Sequence, residues 1–203
     1  MKPIKLLLAA AISLPLMLSN SHAHNQHKGH IQAPESSATT PEFDIVHAKV
    51  TTVDGHLIFQ QVVKGKAGEK KPEALGTLEG ASVYSYVWPT SINSSAVGFA
   101  ADQGILALAL TVHPDFDDTP LYDEDNDGDK TNDGDKWHSH WVVLVADDAC
   151  GAGALKVKDI DAGTNPTLPK TWPKLPIFID SPGFEFSLDN SEVLIKVPLT
   201  ALA

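Results

Sequence analysis

No arginine occurs anywhere in the 203-residue chain; all fifteen basic residues are lysines, set against 26 aspartates and glutamates. An acidic surface without guanidinium groups repels phosphate backbones and anionic headgroups, which argues against nucleic acid or an anionic membrane as partner. Cysteine is nearly absent too. The lone Cys150 cannot form an internal disulfide, so the fold has to stand on its core or on bound ions. Cys150 lies in the turn-like stretch Asp147-Asp148-Ala149-Cys150-Gly151-Ala152-Gly153, where a small residue suffices. Metal ligation or an intermolecular disulfide are its alternative roles. Methionine does not occur after Met17, which removes the usual axial ligand of a blue-copper site. There is no Gly-x-Ser-x-Gly, no phosphate-binding loop, no dinucleotide fingerprint and no spaced Cys-His pairing, so covalent catalysis has no support. Carboxylates gathered in one loop do not make a glycosidase, which needs them buried across a cleft.

Residues 1–23 read as a secretory signal peptide. Lys2 and Lys5 precede an apolar run from Leu6 to Leu18, and Ser21-His22-Ala23 supplies a small-x-small cleavage site after Ala23. With no cysteine at that site a lipid anchor is not expected. The mature chain is expected in the periplasm or outside the cell, without a second long apolar segment. It would carry thirteen lysines against 26 acids, a formal charge of −13. Residues 24–42 are polar and predict a disordered lead-in whose His24, His27 and His30 collect divalent transition metals weakly. With His24 at the amino terminus, its imidazole and α-amino group resemble the chelate of histidine-brace copper proteins.

Residues 43–203 predict one all-β domain, an antiparallel two-sheet β-sandwich of immunoglobulin-like or jelly-roll type. β-branched runs at 45–53 and 56–63 flank Asp54-Gly55, a strong two-residue hairpin signal. Further strands are expected at 81–88, 104–113, 137–146, 154–160, 176–179, 183–188 and 192–197. No window carries a helical stripe of useful length.

The connection between the strands at 104–113 and 137–146 is 23 residues long and holds ten carboxylates, from Asp115 to Asp135. Such a density of like charge repels itself unless a cation or water intervenes. Within it, Asp123-x-Asp125-x-Asp127-Gly128 places three carboxylates on alternate positions and then a glycine that permits a sharp turn. The run resembles the DxDxDG loops of EF-hand and dockerin-type calcium proteins. That resemblance implies Ca²⁺, with Asp123, Asp125 and Asp127 at positions one, three and five and the carbonyl of Asp129 at seven. It departs from the pattern at position twelve, where Gly134 replaces the bidentate Glu; Asp133 or Asp135 could close the shell instead. A second unit, Asp129-x-Thr131-x-Asp133-Gly134, would share the ion or hold another. The alternative is a solvated acidic loop. A structural ion would rigidify an unusually long connection.

Next to this loop stands His138-Ser139-His140. On a strand these two imidazoles share a face, and antiparallel pairing with 104–113 brings His113 to the same end. The three-histidine set is similar to the zinc site of α-carbonic anhydrases, which implies Zn²⁺ with an open position; Cu²⁺ is the other candidate. The set forms only if Trp137 and Trp141 face the core together with Leu106, Leu108, Leu110 and Val112. Otherwise the histidines would hydrogen-bond the loop carboxylates. Three functions follow. One is an exported metal-binding protein with structural calcium and a transition metal at the His pair. Another is a zinc-dependent hydrolase or lyase using His113, His138 and His140. The third is a calcium-stabilised module presenting Trp88, Trp137, Trp141 or Trp172 to a carbohydrate or protein.

Overall fold

The computed structural model describes residues 30–119 and 121–202. The signal-peptide reading, its cleavage site, His24 and His27 fall outside the described residues. The described residues form ten strands: β1 (His30–Gln32), β2 (Ile45–Val53), β3 (His56–Val63), β4 (Tyr84–Pro89), β5 (Ile105–Val112), β6 (His138–Ala146), β7 (Leu155–Val157), β8 (Ile179–Asp180), β9 (Phe186–Asp189) and β10 (Glu192–Pro198). Their only helical companions among the described residues are single 3₁₀ turns. Every pairing is antiparallel. One sheet runs β1-β2-β3-β10-β9, and the other runs β4-β5-β6 with β7 and β8 sharing the outer edge of β6. The all-β sandwich expected from the strand pattern is the architecture found.

The β2–β3 hairpin turns at Asp54 (φ 46°) and Gly55 (φ 77°), both left-handed, as a two-residue turn of the favoured twist requires. At the other end the first sheet begins earlier than the composition predicts. His30–Gln32, inside the stretch expected to be disordered, pairs with Lys49, Ala48 and His47 of β2. Backbone hydrogen bonding to a neighbouring edge is enough to order a short polar segment.

The two sheets meet on a core of Phe59, Val63, Tyr86, Trp88, Leu106, Leu108, Leu110, Val112, Trp141, Val143, Val193, Ile195 and Val197. Phe59 lies edge-on to both Trp88 and Trp141, with ring centroids 6.2 and 6.0 Å apart. Trp137 joins the same core, stacked on Tyr86. The even-numbered side chains of β5 and the odd-numbered ones of β6 therefore face inward.

The opposite face of the second sheet is buried as well, which explains why β5 reads as an unbroken apolar run rather than an alternating one. Ala107, Ala109, Val142 and Ile179 form a second, smaller cluster there, backed by Trp172, Leu175 and Ile177. This outer face lies beneath the acidic connection and the segment leading into β8. Gly134 fastens the acidic connection to the sheet. Its carbonyl accepts a hydrogen bond from the His113 amide at 2.8 Å. A Cβ at position 134 would stand 1.8 Å from the Phe116 carbonyl oxygen and 2.6 Å from that of His113. The glycine that breaks the calcium-loop pattern is thus required by close backbone approach.

Replacing Gly134 with Ala is expected to cost about 2–3 kcal/mol of stability, read as a lower urea midpoint at constant slope. An unchanged midpoint would show that Gly134 does not approach the His113 and Phe116 carbonyls this closely.

Candidate metal centre

Because Trp137 and Trp141 point into the sandwich, His138 and His140 point out of it, onto the face carried by Ala109, Thr111 and His113. Register sets their neighbours: His138 stands opposite Thr111 and His140 opposite Ala109. The methyl of Ala109 leaves room for an imidazole beside it. His113, one residue past β5, completes the row at the mouth of the acidic connection.

That connection returns over the row and delivers a fourth group, Asp118. Its Oδ1 lies 3.2 Å from His113 Nε2, 3.1 Å from His138 Nε2 and 3.2 Å from His140 Nε2. His113 Nε2 and His138 Nε2 are 2.9 Å apart. All four side chains are buried, at 1–3 % exposure. Despite these short separations Asp118 Oδ1 and His140 Nε2 have no hydrogen-bond partner in correct geometry. Four ligand atoms therefore converge on one point, and of them only the His113–His138 pair stands in hydrogen-bond geometry.

The far side of each ring explains which nitrogen is presented. His113 Nδ1 donates to the Phe116 carbonyl at 2.9 Å, and His138 Nδ1 donates to the Lys136 carbonyl at 2.8 Å. His140 Nδ1 lies 3.2 Å from the Asp180 carbonyl and 3.1 Å from Ser181 Oγ. With Nδ1 protonated in all three, each Nε2 carries its lone pair inward, the arrangement by which outer partners prepare histidine for a metal. Ser181 also ties two of the groups together, since its hydroxyl donates to the Asp118 backbone carbonyl at 2.7 Å. Phe116 stacks flat on the His113 ring at 4.0 Å.

The electrostatics agree with the geometry. Burial alone would push the Asp118 carboxyl up, but the charge of His140 and the contacts from all three imidazoles outweigh it and hold the carboxyl far below the ordinary range. Burial also works against a charged His113, yet its contact with Asp118 leaves that imidazole above its usual value. His138 ends below its usual value, because burial and the neighbouring His140 prevail over the contact with Asp118. One buried carboxylate thus demands positive charge among these rings.

A tetrahedral shell with bonds of about 2.0–2.1 Å has edges of roughly 3.3 Å. A square-planar shell would place one nitrogen about 4 Å from the oxygen, across the diagonal. The near-equal distances from Asp118 to the three nitrogens match the first and not the second. The group can hold a metal ion.

The six aspartates of the calcium-loop reading separate into distinct places. Asp123, Asp125 and Asp127 do gather, with a carboxylate oxygen of each within 4.8 Å of the others. Asp123 accepts from the amides of Asp127 (3.1 Å) and Gly128 (2.9 Å), and Gly128 takes the left-handed φ of 95° that the turn needs. Asp129 is turned to the Thr131 amide and hydroxyl, exposed. Asp135 pairs with Lys136 at 2.9 Å. Asp133 leaves the turn altogether and is fully buried, in a third group with Asp117 and Glu124. Sequence reasoning did not single out Asp118, Asp117 or Glu124. Asp118 carries no periodicity that separates it from nine other acids of the same loop; its place five residues after His113 was the only available signal. Of the tryptophans proposed to face a ligand, Trp88, Trp137 and Trp141 are buried in the core, and Trp172 packs on the smaller outer cluster.

In long-range ¹H–¹⁵N spectra of labelled protein, His113, His138 and His140 are expected to show the Nδ1–H tautomer with Nε2 unprotonated. An Nε2–H tautomer at any of the three in the metal-loaded protein would overturn the convergence described above.

Comparison with known proteins gives no match: no family model fits the chain, and neither a curated protein nor a solved structure is similar to it.

Proposed function

We propose that this is an exported metal-binding protein that holds one transition-metal ion, zinc by donor set and geometry, at His113, Asp118, His138 and His140, with calcium bound by its Asp-rich loop. One observation carries the reading: a single buried carboxylate oxygen faces three imidazole nitrogens whose opposite nitrogens are all anchored. Three imidazoles and one carboxylate suit zinc, and the equidistant oxygen speaks against the square-planar preference of Cu(II) and Ni(II).

The ion's role in this reading is to hold the chain together. Four protein ligands at 1–3 % exposure leave no position for a reactive water, which a hydrolytic zinc requires. The hydrolase alternative therefore finds no support in the geometry, and the binding-module alternative loses the exposed tryptophans that motivated it. Export is supported by the Lys2–Ala23 pattern, and it gives a holding metal a reason. A secreted chain whose one cysteine, Cys150, is exposed and unpaired cannot close its long connection with a disulfide. An ion bridging His113, Asp118 and His138 closes the same loop, removing chain entropy from the unfolded state as a disulfide would. For calcium, the gathered Asp123, Asp125 and Asp127 supply the alternate-Asp geometry of the loop resemblance.

Protein purified without affinity tag or chelator is expected to contain close to one equivalent of zinc by mass spectrometry. Ligand present at about a thousandfold its Kd contributes about 4 kcal/mol, so chelation should lower Tm by roughly 10 °C. His140→Ala and Asp118→Ala should each lose the zinc, with affinity falling more than the roughly 10–100-fold typical of outer-partner changes. A chain that retains no transition metal, takes up none at micromolar concentration and melts identically in chelator would sink the reading.

A further inference from the structure

Behind the four-residue centre lies a second group whose chemistry is different. Asp117, Glu124 and Asp133 each bring a carboxylate oxygen within 4.8 Å of the others, with no imidazole among them. Asp133 is wholly buried, at 0 % exposure. Its Oδ2 accepts the Glu124 amide at 2.8 Å, but its Oδ1 has no hydrogen-bond partner; neither has Glu124 Oε2, which is also shut off from solvent. Asp117 spends Oδ1 on the Thr119 amide and hydroxyl and Oδ2 on the Asp133 amide at 2.9 Å.

No basic side chain among the described residues compensates these three acids. The nearest lysines by sequence are engaged elsewhere: Lys136 with Asp125 and Asp135, and Lys130 with the Leu121 carbonyl. A buried carboxylate oxygen left without proton donor or counter-ion is costly, and three carboxylates in one place repel as well. A divalent cation removes both penalties.

We propose that Asp117, Glu124 and Asp133 form a second cation site, specific for a hard ion such as calcium and distinct from the exposed Asp123-Asp125-Asp127 turn. All-carboxylate donors select a hard cation over zinc or copper.

The site has a further consequence for the transition-metal centre, which rests on the function proposed above. Asp117 precedes Asp118 in the chain, so fixing its carboxylate fixes the backbone that presents Asp118. From Asp133 a second connection runs through its carbonyl to the Lys136 amide at 2.8 Å, and the Lys136 carbonyl holds His138 Nδ1. The oxygen cage thus positions two ligands of the other site, and calcium strengthens zinc binding by ordering them.

Calcium titration calorimetry on the zinc-saturated full chain tests this. Wild-type protein is expected to bind one calcium tightly at the buried group and a second, more weakly, at the exposed turn. Asp125→Asn, in the exposed turn, should lose the weaker event and retain the tight one, whereas Glu124→Gln and Asp133→Asn should weaken the tight one at least 100-fold. Glu124→Gln decides the matter if Asp133→Asn does not fold, because the Asp133 contact is to the Glu124 backbone amide and survives the change. Tight calcium that persists in Glu124→Gln and disappears in Asp125→Asn would overturn the site in favour of the turn; so would wild-type affinity no tighter than millimolar. Zinc content measured on the same samples separates a failure here from a failure of the zinc reading. Zinc affinity in saturating calcium should exceed that in calcium-free buffer about tenfold, within the usual span of coupling between sites. Equal affinities would overturn the positioning role.

Discussion

Three imidazole lone pairs and a carboxylate cannot share one buried point without a positive charge among them. Desolvation penalises the carboxylate, the Nε2 atoms of His113 and His138 stand 2.9 Å apart, and burial keeps bulk solvent from softening either effect. Much of the surrounding structure is arranged round that point. Ala109 is small because His140 lies beside it, Gly134 lacks a side chain because its backbone packs against the His113 and Phe116 carbonyls, and Ser181 bridges His140 to the Asp118 carbonyl. A proton or a metal can supply the charge. The tautomers enforced by Phe116, Lys136, Asp180 and Ser181 leave the lone pairs of all three Nε2 atoms inward, which is the metal-ready state.

The position of this group also gives the outer face of the second sheet its character. In an ordinary sandwich that face is wet and its strands alternate polar with apolar. Here it is buried under the acidic connection on one side and the stretch leading into β8 on the other. Ordering such a connection is entropically expensive, and with ten like charges it is electrostatically expensive too. Its own contents reverse the sign of the problem if cations bind: the charges that would force the loop open become the ligands that close it. Two chemically different groups then divide the work, one with imidazole and carboxylate donors, the other with oxygen alone.

Much of this was legible before any coordinates. The β2 and β3 boundaries, the turn at Asp54-Gly55 and the order of later strands follow from period-two patterns and turn residues. So does the pairing that brings His113 near His138 and His140, because neighbouring strands joined by one connection pair antiparallel. The expectation of a disordered start failed at His30–Gln32, since polar composition gives no sign of an open edge on β2. The acidic connection was legible as a cation loop and opaque in detail. Alternate aspartates marked the Asp123-Asp125-Asp127 turn and its neighbour Asp133, but nothing in ten carboxylates ranked Asp117, Asp118 or Glu124 above the rest or set Asp133 apart from the turn.

The sequence by itself therefore determined the sandwich, the histidine row and the presence of an acid-rich connection, because strand period and turn chemistry act over a few residues and need no distant partner. Tertiary structure alone decided which face the histidines took. That choice depended on the sheet to which Trp137 and Trp141 would pack, and aromatic packing is a contact between segments far apart in the chain. Tertiary structure likewise selected Asp118 as the fourth group and carried Asp133 away from its calcium-loop neighbours. Both outcomes accompany the return of the connection at Gly134, whose backbone meets those of His113 and Phe116, a contact that local sequence patterns do not encode.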